Sequence, residues 1–208
     1  MPQFGQRAVF FNMFSRRAFL AIAVTILFLL AAFTAPSWPA GSAMRRTILG
    51  LSLAFIAAGV IGRTWSILFI DGHKLFDLVS TGPYSISRNP LYLFSFFGAT
   101  GAGLASGSLV VGGIAFALTY AVFYALVRQE EAALLERHGE PYASYCRTVP
   151  RFWPRIGNWQ GVEWVNIRPR KVVATFLEAL VFLAAFPAFY LLQWAQTSGL
   201  LPVLLRLP

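Results

Sequence analysis

Between Arg17 and Arg45 the chain carries no charged residue, and from Asn89 to Val127 it carries neither a charge nor a histidine. Runs of that length constrain the fold more than any other feature. A bilayer core about 30 Å thick takes roughly 20 apolar residues of helix. Lipid offers the backbone no hydrogen-bond partner, so spanning segments must be helices or a closed barrel. These runs far exceed barrel strands and do not alternate, so they read as helices. Thr47–Ile70 is a further run, interrupted by Arg63, and Val172–Gln196 is the last, with Glu178 near its start. The 89–127 run is too long for one span, and Gly103, Ser106, Gly107 and Ser108 form a turn cluster at its middle. The expectation is an all-α integral membrane fold of five transmembrane helices (18–35, 47–70, 90–105, 108–128, 172–196). The third and fourth form a tight helical hairpin, followed by a cytoplasmic post-hairpin segment.

Composition narrows the function classes. Apolar types make up 57% of 208 residues and charged types 12%, which excludes a disordered chain. The net charge of +9 is spread between apolar runs and not gathered on a patch, so no nucleic-acid partner is expected. The single cysteine, Cys146, excludes an intrachain disulfide and a cysteine-based zinc site, and His73 and His138 lack metal-ligand spacing.

The positive-inside rule places the N-terminus and both polar segments in the cytoplasm. Arg7, Arg16, Arg17, Lys74, Arg88, Arg128, Arg137, Arg147, Arg151, Arg155, Arg168, Arg170 and Lys171 then lie inside. Only Arg45, Arg46 and Arg206 lie outside, where the C-terminus is expected. Ser15-Arg16-Arg17-Ala18-Phe19-Leu20 is similar to a twin-arginine export signal, but four further spans could not fold in water first, so a retained first helix is expected. Gly50, Ala54, Ala58 and Gly62 recur every four residues and predict a close-packing helix face; Gly98, Gly101 and Gly103 predict another. The fourth helix is predicted to run past the membrane to His138, where Gly139 and Pro141 stop it.

Residues capable of chemistry fall in two segments, 71–92 and 128–170, both expected at the inner interface. In the first, Arg88-Asn89-Pro90 opens a helix, leaving free N–H groups beside a cation. This is either an anion site or an interfacial start with an Arg anchor. In the second, Glu130-Glu131 is either a solvated face pairing with Arg128 or Arg137, or a carboxylate pair for an ammonium or a ribose diol. Arg63 lies within a span at a cost of about 2.5–3.5 kcal/mol; it either snorkels to the interface or faces an interior anion site.

Together these motifs resemble the isoprenylcysteine carboxyl methyltransferase family and the related phospholipid N-methyltransferases. The resemblance covers residues 60–155. It runs through Arg63-Thr64-Trp65, Gly82-Pro83-Tyr84, Arg88-Asn89-Pro90-Leu91-Tyr92, Glu130-Glu131, Leu134, His138-Gly139, Tyr142, Tyr145, Val149-Pro150-Arg151 and Pro154. Two positions depart from the family pattern: Asn89 stands where a His is usual, and Phe94 where a small Gly is common, which would reshape the pocket wall.

The resemblance implies a membrane-embedded enzyme that uses S-adenosylmethionine without a Rossmann fold. The donor enters from the cytosol and a lipophilic or lipidated acceptor enters from the lipid. By the same resemblance Asn89, Pro90, Tyr92, Glu130, Glu131, Tyr142 and Tyr145 bind the cofactor. Arg63, Arg88 and Arg151 are the candidate catalytic residues: Arg63 and Arg88 for the carboxylate of donor or acceptor, and Arg151 near the cofactor or the acceptor head group. Phe96 and Phe97 could line a tunnel or simply pack. The acceptor classes the resemblance allows are lipidic carboxylates, phospholipid amines, and small thiols and phenols. The competing classes are a non-catalytic membrane protein of the same fold, a transporter, and a sterol-reductase-like enzyme taking NADPH.

Overall fold

The computed structural model describes residue 22 and residues 25–70 and 78–208. The 15–20 motif, the start of the first expected span, and His73 and Lys74 lie outside the described residues. Helix α1 covers 25–33 and leads into a short strand, β1 (Thr34–Pro36). The succeeding helices are α2 (Ala43–Ile70), α3 (Pro83–Ile86), α4 (Pro90–Leu104), α5 (Leu109–His138), α6 (Glu140–Thr148), α7 (Pro169–Ala179) and α8 (Ala185–Thr197), with β2 (Leu205–Leu207) at the end.

Among the described residues three stretches are long and apolar enough to cross a bilayer: Ala43–Ile70, Leu109–His138 and Pro169–Thr197. The last joins α7 and α8 through a tighter 3-10 turn, Leu180–Ala184. Their outward faces expose Leu51, Leu53, Ile61, Val173, Leu177, Val181, Leu191 and Trp194, an apolar surface suited to acyl chains. The expected span 90–105 is α4, with 15 residues, about 22 Å of helix. It is buried between α2 and α5.

Glycines set the α2–α4 approach. A Cβ on Gly59 would lie 2.7 Å from the Gly98 Cα, and one on Gly101 would lie 2.8 Å from the Ser52 carbonyl oxygen. The Ser52 hydroxyl donates to the Gly101 carbonyl at 2.7 Å. Gly103 meets α5 at Ala115 and Gly112, so the α4 glycines pack closely as expected but toward two neighbours and not on one face. The stripe expected on α2 is corrected. Gly50 has open space around it and Ala54 is exposed; the buried face runs through Ser52, Ile56, Gly59, Gly62 and Ser66. A repeat of four residues drifts about 40° per step around a 3.6-residue helix, so Gly50 and Gly62 cannot share one face.

Ser108 starts α5 by accepting a hydrogen bond from the Val111 N–H at 3.3 Å. Gly139, at φ +59°, ends it as predicted, its N–H donating to the Leu135 carbonyl at 2.8 Å. With 30 residues, α5 is about 45 Å long, so its last turns outrun a bilayer core. At the opposite end β1 and β2 pair in parallel, Thr34 with Leu205 and Pro36 with Leu207. This ladder departs from the all-helical expectation. It satisfies backbone groups of two loops that no helix serves. Gln196 reinforces it by donating to the carbonyls of Ala31, Ala32 and Thr34.

Candidate functional site

Backbone bonds join the two polar segments at the α5 C-terminal end. The Arg88 N–H donates to the Pro150 carbonyl at 2.9 Å, Arg155 to Ile86 at 2.9 Å, and Gly82 to Gln160 at 2.7 Å. The Tyr145 hydroxyl donates to the Tyr84 carbonyl at 2.6 Å. Gly82 sits at φ +59° with the Phe69 ring against its Cα, so only glycine fits both the turn and the space. Burial pushes the phenols of Tyr84, Tyr142 and Tyr145 well above their ordinary range.

Glu131 is the hub of the side-chain network. Its Oε2 accepts from Arg151 Nε at 3.0 Å and Nη2 at 2.8 Å. Its Oε1 lies 3.5 Å from Arg88 Nη1 and accepts from Asn89 Nδ2 at 3.4 Å. The Glu131 side chain is only 11% exposed and that of Arg88 13%. Hydrogen bonding to Glu131 raises the Arg151 guanidinium further above its already high range, against the opposing effect of burial. Asn89 also donates to the Arg151 carbonyl at 3.2 Å, and Tyr92 donates to Glu130 Oε1 at 2.7 Å. Arg88, Asn89, Glu131 and Arg151 therefore form one side-chain cluster, and the Tyr92–Glu130 pair adjoins it along the chain. The pairing of Glu131 with Arg128, offered as one alternative, is not what forms: the partners come from across the fold, where an Arg can present two N–H groups to one carboxylate.

Beside this hub lies an open pocket of about 370 Å³, lined by Arg128, Glu131, Ala132, Leu135, Tyr142, Ala143, Cys146 and Arg151. Its volume falls in the range of small-molecule sites. One wall is a face of α5 at spacing i, i+3, i+4, i+7; the other is α6 at i, i+1, i+4. That periodicity is the signal by which Arg128, Ala132, Leu135, Ala143 and Cys146 could have been found. Tyr142 lines the pocket, whereas Tyr145 is turned to the Tyr84 carbonyl and Pro90 is buried in the first turn of α4.

Arg63 lies on α2, outside the pocket lining. Its side chain reaches inward and donates to Ser95, one turn along α4 from Tyr92, which packs against Phe123. Snorkelling is thus replaced by an interhelical bond. Phe94 lies against Gly62 of α2, so it fills that helix contact and does not shape the pocket wall. Phe96 is 0% exposed among Phe116, Tyr120, Phe123 and Phe152, which makes it core and not tunnel.

Comparison with known proteins agrees with the motifs. The phospholipid methyltransferase family matches residues 43–140. The resemblance to integral membrane methyltransferases is therefore shown over that segment. The nickel-cobalt-cadmium resistance protein NccN of Alcaligenes xylosoxydans xylosoxydans is 29% identical over 83% of this chain and 78% of its own length. The cobalt-zinc-cadmium resistance protein CzcN of Cupriavidus metallidurans is 35% identical over 66% of this chain and 64% of its own, so the match spans less than two thirds of that relative. No solved structure matches.

Proposed function

We propose that this chain is a membrane methyltransferase that moves a methyl group from S-adenosylmethionine to a lipophilic acceptor at the cytoplasmic interface. One observation carries the reading: the family-like segments around Asn89 and Glu131, 42 positions apart in the chain, meet by direct hydrogen bonding at the rim of a ligand-sized pocket. The residues present suit the donor. Arginines can meet its carboxylate, Tyr142 and Leu135 offer apolar walls for its base, and the pocket opens where α5 outruns the membrane. Under this reading the chain crosses the membrane five times with α4 and α5 as a hairpin, and the pocket faces the cytoplasm.

When bound, the donor supplies an electrophilic methyl on a sulfonium. Arg128, Arg151 and Tyr142 would hold the donor, and the chemistry supplied would be methyl transfer to an acceptor oxygen, nitrogen or sulfur, with the electron pair of the old bond left on sulfur. The protein aligns the partners, which supplies several kcal/mol, about 7–11 in well-oriented cases. Glu131 fixes Arg88, Asn89 and Arg151, and the aromatic block behind Tyr92 keeps water from that side. A lipidic carboxylate acceptor is the first choice because it needs no general base; phospholipid amines, thiols and phenols remain alternatives.

Calorimetry of the detergent-solubilised chain with S-adenosylhomocysteine tests the donor site, and methylation of a lipid extract with labelled donor tests the acceptor class. Binding that Glu131→Gln weakens supports the reading. Folded protein that binds no S-adenosylhomocysteine removes it, and leaves a non-catalytic membrane protein, in keeping with the metal-resistance names of the relatives.

A further inference from the structure

The arginines around the pocket are not equivalent. Arg151 commits its Nε and Nη2 to one oxygen of Glu131, and Arg88 lies against the other. Arg63 donates to Ser95 of α4. Arg128 lines the same pocket and has neither a hydrogen bond nor an ion pair among the described residues. With Glu131 already shared by two guanidiniums, the pocket holds an excess of positive charge centred on Arg128. Two other residues of the lining, Ala132 and Ala143, are small.

We propose that Arg128 is the residue that recognises the carboxylate of the donor's amino-acid end. The inference rests on the donor site proposed above and adds the group that reads it. A guanidinium fork suits a carboxylate, which it can hold by two parallel N–H bonds. Among the cations lining the pocket, Arg128 alone could do so without giving up an existing partner. Glu131 is then a positioning residue whose counter-charge keeps Arg151 and Arg88 from competing for that carboxylate.

The test compares S-adenosylhomocysteine with its decarboxylated analogue by calorimetry in detergent, on the full chain. Arg128→Gln should weaken S-adenosylhomocysteine about tenfold, the size of one charge-assisted hydrogen bond reduced by exposure. The analogue should lose less than about twofold, because it never made that bond. Arg128→Lys should restore part of the affinity for the carboxylated ligand only. Equal losses on both ligands, or none on either, overturn the role of Arg128 and leave the donor site standing. A loss that appears only as altered dependence on anionic lipid assigns Arg128 to a headgroup and also overturns it. If the wild-type chain binds neither ligand, the donor site itself fails, and this inference fails with it.

Discussion

Replacing Glu131 by Gln keeps the shape of the hub and removes its charge. The carboxylate is nearly buried and answers two guanidiniums, of which Arg88 is nearly buried and Arg151 is 30% exposed. Breaking a buried pair by removing one partner costs about 3–5 kcal/mol, because a charge is left uncompensated. Arg151 can turn to water, so that range is discounted to about 2–3 kcal/mol. For a chain of this size such a loss lowers Tm by about 4–12 °C. Scanning fluorimetry in detergent measures it. The decisive comparison is the double variant Glu131→Gln with Arg88→Met, which removes the stranded cation as well. It should recover at least about 1 kcal/mol, since an ion pair exchanged for apolar packing is often near neutral. A single variant as stable as wild type, or a double variant less stable than the single, would show that charge balance at Glu131 does not hold the two segments together.

Three other perturbations probe separate parts of the fold. Gly59→Val should cost more than about 3 kcal/mol by forcing the α2 and α4 backbones apart. Gly50→Ala should be neutral or slightly stabilising, and thermal unfolding of the two variants tests the assigned helix face. The buried phenols of Tyr84, Tyr142 and Tyr145 ionise less readily folded than unfolded. Their stabilising effect is therefore complete below the ordinary tyrosine pKa of about 10 and is lost as pH rises beyond it. An ultraviolet titration should show these three phenols ionising only above the ordinary tyrosine range, and their ionisation within that range would contradict the burial. Trp164 is 86% exposed, near Arg168, Arg170 and Lys171 in the chain. In vesicles with brominated lipid its emission should be quenched, as expected of a tryptophan at the headgroup level. If Trp164→Phe leaves the quenching unchanged, that placement is wrong.

Local punctuation and hydropathy were legible in the sequence. Gly139 with Pro141 fixed the end of α5, and Ser108 its start, because caps and stops act within a few residues. The glycines of α4 were legible for a similar reason: a small residue in a greasy helix most often marks a neighbour's approach. The α2 face was misplaced because a four-residue repeat imitates a helical stripe without following the helix. Partner choice was the least legible part. That Glu131 takes Arg151 and Arg88, and not Arg128 one turn away, depends on how the 149–152 loop folds back over α4, and no local spacing encodes it. Arg63 shows the same limit, since its depth was readable but its partner Ser95 was not.

Partner choice of this kind is also what distinguishes a binding site from an ordinary charged rim. A solvated helix end would pair Glu131 with Arg128 along α5, a contact worth a few tenths of a kcal/mol and indifferent to the rest of the fold. Here the same carboxylate is held by α4 and the loop after α6, and the local arginine is left facing a cavity. The arrangement forgoes a local pair and gives both a tether between distant segments and a cation lining the pocket. A fold selected only for helix packing has no use for the second of these. If Arg128→Glu, which could join Arg151 by ion pairing across the pocket, raises Tm while abolishing S-adenosylhomocysteine binding, the pocket has kept a binding charge at the expense of stability. If it lowers Tm and leaves binding intact, Arg128 serves the fold and the ligand reading of this face is wrong.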